Sequence, residues 1–284
     1  LIDLGYTGDP EGDRIDASDA INPSVDPDAD LVSAGAGDDT VLAGDSDDTI
    51  HGGAGADSLS GGAGNDVFEG DTDAPGAGSS TREVFQWDLA PDPDDASAVD
   101  DGDDLSGGFS QDTGSVTVDF SVLSQSPDAD TEFGDVTQFT GNIDTGGNAA
   151  DANSGLASDM NGDGNSAAYQ LEFSDSVGNV SFRVNDIDGD SNVHITAYDA
   201  AGNPVVVNLA GGPALTLSDT DAVPGFDNAG VTVSGTYVSD DNPDHSLLVT
   251  IPGPVSRIVI EHSQDGTNNS EIDVTDVYFD ATDP

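Results

Sequence analysis

The sequence predicts an all-β chain, a short parallel β-roll followed by an antiparallel β-sandwich of jelly-roll type. Three observations predict it. Residues 25–69 repeat every nine positions. The rest of the chain holds many short runs of alternating apolar and polar residues, separated by Gly, Asn and Asp. With 36 Gly and 14 Pro in 284 residues, few stretches remain in which a helix could grow. Hydrophobic content is only 35%, but it is concentrated in those runs, which argues for a folded chain over a disordered one. The expected organisation is a roll with an N-terminal cap over 1–75, a linker over 76–82 and a sandwich over 83–284.

The roll comes first. Written in nines the chain reads VDPDADLVS, AGAGDDTVL, AGDSDDTIH, GGAGADSLS and GGAGNDVFE. The sixth position is always Asp (Asp30, Asp39, Asp48, Asp57 and Asp66), and the eighth is always large and apolar (Val32, Val41, Ile50, Leu59 and Phe68). Six residues make a turn and three make a short strand, and glycine supplies the φ > 0 geometry of the turn. The eighth residue is expected to point inward and stack into a thin core. Two nonapeptides complete one coil, so alternate repeats lie on the same side. That puts Asp30, Asp48 and Asp66 along one edge, and Asp39 and Asp57 along the other. Carboxylates about 4.8 Å apart repel by about 3.5 kcal/mol at an effective dielectric of 20, and a Ca²⁺ between each pair turns that repulsion into attraction. Turn carbonyls, with Gly35, Gly37, Gly53, Gly55, Gly62 and Gly64 the candidates, would complete the shell. A Gly/Asp-rich linker would not keep Asp and an apolar residue in phase over five repeats. The pattern resembles the hemolysin-type (RTX) calcium-binding repeat, with the first of the five degenerate at Val25, Asp26 and Asp28. GDRIDASDAI at 12–21 reads as the cap, and GDTDAPGAGSS at 70–80 as the linker region.

The sandwich follows. VFQWD (84–88) opens it, and an acidic, Pro-containing loop occupies 88–104. Alternating runs then recur at 115–123, 168–174, 179–186, 192–199, 204–209, 214–218, 230–235, 245–251, 256–262 and 271–280. Parity assigns Val180, Phe182 and Val184, then Val193, Ile195 and Ala197, then Ile258 and Ile260, to inward faces. Arg183, His194, Thr196, Tyr198, Arg257 and Glu261 take the opposite faces. The run FRVNDIDGDSNVHITAYDAAGNPVVV (182–207) resembles jelly-roll modules of bacterial extracellular proteins, several of which accompany RTX repeats and self-processing hedgehog/intein-type domains. The resemblance implies a fold and no activity.

Charge excludes several functions. Asp+Glu total 57 against four Arg and no Lys, a net charge of −53. Nucleic-acid binding through basic patches needs cations that the chain lacks, and docking on anionic lipid is equally disfavoured. No apolar run approaches the roughly 18 residues of a membrane span, so insertion is not expected. Cys is absent, which removes disulfides and thiol chemistry and leaves calcium as the staple an extracellular chain would use. The bias to Asp suits a hard cation with oxygen ligands.

Other chemistry is sparse. Asp159, Asn161 and Asp163, followed by Gly164, match the first half of an EF-hand loop, but Gln170 stands where a bidentate Glu is required. A calcium loop and an Asx-rich turn are both open there. Asp186, Asp188 and Asp190 alternate around Gly189 and would surround one cation at a sandwich rim, or form a solvated turn. The four His show no zinc spacing, and no G-x-S-x-G elbow or paired-carboxylate pattern marks a hydrolase. Trp87 reads as a core aromatic or, less simply, as a sugar-stacking one.

The expectation is therefore a non-enzymatic, calcium-dependent structural or adhesive protein of the cell surface or extracellular matrix. Calcium would trigger its folding and its assembly into a homo-oligomer or filament, with the loops at 88–104, 159–165, 186–190 and 239–244 as rims. A calcium-dependent carbohydrate-binding module for polysaccharide is the alternative. The RTX resemblance implies export by a type I channel, unfolded in low cytosolic calcium.

Overall fold

The computed structural model describes residues 31–34, 40–45, 47–51, 58–69, 80–95 and 97–282. The cap at 12–21 and Asp30, Asp39, Asp57, Gly35, Gly37, Gly53 and Gly55 lie outside them. The chain separates into two compact units between Ser79 and Ser80.

In the first unit β1 (Leu31–Ser33), β3 (Thr49–His51) and β5 (Val67–Glu69) form one parallel sheet, while β2 (Thr40–Asp45) pairs with β4 (Ser58–Ala63) in another. The register is 18 residues throughout, Val32 beside Ile50 beside Phe68 and Val41 beside Leu59. Strands alternate between the two sheets along the chain, as a two-nonapeptide coil requires. Val32, Val41, Ala43 and Ile50 make a thin core, with Leu59 packed against it. Phe68 departs from the expected inward stack and is half-exposed. It sits in the outermost strand, where no further described strand pairs with β5 to cover it.

The second unit holds β6 (Ser80–Phe85), β7 (Phe109–Asp112), β8 (Thr117–Gln125), β9 (Ala129–Gly134), β10 (Gly155–Met160), β11 (Ser166–Asn185) and β12 (Ser191–Tyr198). It continues with β13 (Pro204–Val205), β14 (Asn208–Gly211), β15 (Leu215–Ser218), β16 (Asn228–Val231), β17 (Leu247–Ile251), β18 (Val255–Gln264), β19 (Ser270–Thr275) and β20 (Val277–Thr282). β11 organises the unit. Its first half lies between β18 and β8, and after an irregularity between Glu172 and Val177 its second half lies beside β17, β19 and β20. One layer is thus β15-β16-β12-β18-β11-β8-β7. The other runs from β14 and β17 through β11 to β19 and β20, with β10 and β9 beyond β19 and β6 beyond β20. The sequence suggested two strands at 168–174 and 179–186 where the structure has this single strand changing layers.

Side chains from both layers fill one core, including Phe120, Tyr169, Phe182, Ile195, Ile260, Val274 and Phe279. Trp87 belongs to it, 1% exposed, its indole N–H donating to the Thr275 carbonyl at 3.0 Å and its ring packed edge-on to Phe85 and Phe120. Arg183 was expected on an outward face and is buried instead. The segment between β9 and β10 crosses that face, so the guanidinium donates to the Gly141 carbonyl, lies over Phe139 and bonds Ser246 Oγ.

Candidate calcium sites

The roll stacks its turns as well as its strands. The Asp48 amide donates to Asp66 Oδ1 at 3.1 Å, and the Asn65 amide donates to Asp47 Oδ1 at 2.7 Å, both across 18 residues. Asp48 is buried and Asp66 half-buried. These sixth-position carboxylates therefore occupy equivalent places in successive coils, with Val67 N bonded to Asp48 O at 2.7 Å closing the turn between them. Gly62 has φ +105° and stands beside Gly44, and a Cβ there would lie 1.7 Å from the Gly44 carbonyl oxygen. Gly64 follows in the bend, with φ +157°.

In the sandwich, the candidates from 159–165 do not converge. Asp159 lies within β10, in register with Asp130 on one side and Glu271 on the other. Asn161 accepts from Asn269 Nδ2 at 2.7 Å, and Asp163 is exposed. The group at 186–190 splits. Asp186 and Asp188 are buried together, Asp186 with φ +51° and Asp188 accepting from the Val238 amide at 2.8 Å. Asp190 turns away to accept from Ser234 Oγ and from the amide and side chain of Asn268, at 2.8 and 3.0 Å. Those bonds, led by Ser234, hold its carboxyl below the ordinary range. At 6%, 2% and 2% exposure, Asp186, Asp188 and Asp190 cannot serve as a rim shared between copies, which corrects the expectation for that loop. These acids are buried because the 234–245 segment and the chain at 268–271, distant in sequence, fold against them.

Sequence reasoning missed two acids of EIDVTD, Glu271 and Asp273. Glu271 and Asp273 alternate with Ile272 and Val274, an ordinary solvated-face pattern, yet Asp273 is 0% exposed. Burial and then Glu271 raise the Asp273 carboxyl well above its usual range. Burial and the Asp159 carboxylate push Glu271 up to about 7. Asp276, at the break between β19 and β20, is also buried and is pushed up to about 7 by that burial, although Trp87 N and Ser154 Oγ donate to it at 3.1 and 2.5 Å. Only the cross-strand register reveals these groups as neighbours.

No curated protein matches the chain. Among solved structures it is similar to TmCBM61 in complex with β-1,4-galactotriose (13% identity, 58% of this chain and 88% of that one, TM-score 0.27). It is also similar to the K1 cleaved adhesin domain of Lys-gingipain from Porphyromonas gingivalis W83 (12%, 64% and 98%, 0.28). A third is the family 11 carbohydrate-binding module from Clostridium thermocellum (10%, 70% and 94%, 0.22). Scores of this size carry nothing about what this chain binds. The family model described as RTX calcium-binding nonapeptide repeat matches residues 26–59 and 42–74, so the N-terminal unit of this chain carries RTX calcium-binding repeats.

Proposed function

We propose that the chain is a non-enzymatic, extracellular structural or adhesive protein whose roll folds on calcium after export through a type I channel. The observation that carries this reading is the 18-residue stack that sets Asp48 and Asp66 in equivalent turns. Stacked carboxylates repel one another, and a cation bound between them turns that repulsion into attraction. Calcium, with six to eight oxygen ligands, suits Asp and carbonyl donors, and its binding energy becomes folding energy. Assembly into oligomers or filaments then uses exposed rims, where Asp92, Asp94 and Asp103 bring ligand atoms within 4.8 Å of one another in the 88–104 loop. Circular dichroism across a calcium titration tests the folding step, with structure gained in millimolar calcium and little in magnesium. Light scattering in calcium, against sodium at matched ionic strength, tests assembly. A spectrum indifferent to chelator would remove the proposal.

A second reading has one observation in its favour. Tyr198 and the exposed Phe226 line a groove that also holds Asp221 and Asp227, and Asp219, Asp221 and Asp227 bring ligand atoms within 4.8 Å. Aromatic faces beside a calcium ion are the means by which a polysaccharide would be held. A protein monomeric at every calcium level, and retained on a polysaccharide column only in calcium, would favour that reading.

A further inference from the structure

One position in the middle of a strand of the sandwich carries no side chain. Thr216, Gly230 and Asn192 stand opposite one another on β15, β16 and β12, with Ser218, Asn228 and His194 as the next row on that face. The face points away from the core, since Ala229 and Val193, between these residues in sequence, are core residues. Glycine weakens a strand interior, and it stands there for a positive φ, a bulge, or the close approach of other backbone or of a ligand. Gly230 does not have a positive φ. It pairs on both sides without a shift of register. A Cβ added to it would meet Asn192 Oδ1 at 3.6 Å and the Ser191 carbonyl oxygen at 3.8 Å, ordinary contacts with no collision. The missing side chain therefore relieves no clash and opens a space, and approach by a ligand is the use that remains.

That space is a groove of about 270 Å³. Small-molecule clefts start at about 300 Å³, so it has room for one small ring. Its walls say which ring. Asn192, Asn228, Thr216, Thr232 and Ser218 supply neutral amides and hydroxyls, Val231 is its apolar contact, and Asp265 is its one charged residue. A phosphate or carboxylate ligand would meet no cation there, in a chain of net charge −53. A single carboxylate is a poor start for a hard cation. An apolar ligand would leave the amides and hydroxyls unpaired. A neutral molecule rich in hydroxyl groups matches them, because each wall group both donates and accepts. They also have capacity to spare. Asn192 Oδ1 has no hydrogen-bond partner among the described residues. The Thr216 and Thr232 hydroxyls bond each other at 3.1 Å, and Asn228 Nδ2 donates to Ser218 Oγ at 3.2 Å. Asp265 is exposed.

From this geometry we propose that the groove over Gly230 binds one unit of a neutral sugar. The ring takes the place of the missing side chain. Asn192, Asn228, Thr216 and Thr232 bond its hydroxyls, the Asn192 amide turning outward to do so, and the Asp265 carboxylate accepts from two adjacent ring hydroxyls. The site takes no ion and lies apart from the groove of Tyr198 and Phe226. It extends the polysaccharide reading to a second place on the sandwich and rests on that reading only in the class of ligand.

The single tryptophan, Trp87, lies in the sandwich core, so melting followed by its fluorescence reports in the full chain that this unit is folded. The probes are methyl glycosides of glucose, galactose and mannose, with glucuronate and inorganic phosphate as charged comparators. Each is titrated against the full chain by NMR, in chelator and in calcium. Wild type should bind at least one neutral glycoside in both conditions and neither charged probe. Gly230→Val puts a residue favoured in strands where the ring would sit, so it should melt no lower than wild type and bind the glycoside at least about tenfold more weakly. Asn192→Ala should weaken binding by about 3–10-fold, and it decides the matter if Gly230→Val does not fold. Affinity unchanged in the folded variant would overturn the site. Equal binding of glucuronate or phosphate would overturn the neutral class. Glycoside bound only in calcium, and undiminished by Gly230→Val, would remove this site and leave the polysaccharide reading standing at Tyr198 and Phe226. No glycoside bound in either condition would remove both.

Discussion

The Asp48 amide reaches the carboxylate of Asp66 in the next coil, at 3.1 Å, and the register of the flanking strands repeats the same 18-residue step. The nonapeptide spacing predicts that Asp48 is an inner member of its edge, with Asp66 on one side and Asp30, which lies outside the described residues, on the other. An inner carboxylate faces two neighbours and serves two ions, whereas one at the degenerate end serves one. Asp48→Ala should consequently lose more bound calcium, and need more calcium to fold, than Asp30→Ala. Dialysis with circular dichroism on each variant measures both, and equal losses would refute the coil phasing.

Gly62 and Gly44 are register partners with different tolerances. Both have positive φ, +105° and +126°, so alanine strains the backbone at either position. At Gly44 an added Cβ meets nothing within 4 Å, whereas at Gly62 it would collide with the Gly44 carbonyl. Gly44→Ala should cost strain alone, about 1–3 kcal/mol. Gly62→Ala should cost that and also push the coils apart, moving the calcium midpoint for folding well beyond that of Gly44→Ala. Similar midpoints would mean that the coils are not held at this distance.

How far the sequence was legible depends on the range of the interaction. The roll was readable because its contacts recur at a fixed short step, so Asp48, Asp66, Val41 and Ile50 announce themselves by phase. The alternating parity of β12 and β18 likewise placed Val193, Ile195, Ile258 and Ile260 inside. Parity says which face a residue takes, and it cannot say what covers that face. Arg183 lies on the outward face of its strand and is buried because chain from 135–154 folds over it, and Asp273 is likewise fully buried. The continuity of β11 was hidden for a related reason. Ser174–Gly178 reads as a turn, yet the irregularity there carries one strand from the first layer to the second.

Asp276 and His262 give the sandwich opposing responses to pH. Burial holds Asp276 at about 7 in the folded chain against an ordinary carboxyl near 3.8, so the folded state keeps a proton that the unfolded state releases. Its contribution is complete at low pH and is lost as pH rises from about 4 to 7. Burial depresses His262 to about 3, with its Nδ1 at 2.9 Å from Ser158 Oγ, so the unfolded state takes up a proton first. That contribution is present above about 6.5 and is lost as pH falls toward 3. Each group changes stability by about 1.4 kcal/mol per pH unit within its window, with opposite sign, so in wild type the two largely offset each other between about pH 4 and 6.5. Single variants uncover them. Relative to wild type in chelator, Asp276→Asn should gain stability as pH rises through 4–7, and His262→Gln should gain as pH falls from 6.5. Acids remote from Asp276 and His262 titrate alike in all three proteins and drop out of the differences. Trp87 fluorescence melts from about pH 4.5 to 7.5 supply the measurement. Differences that stay constant across that range would show that neither burial is sustained in solution.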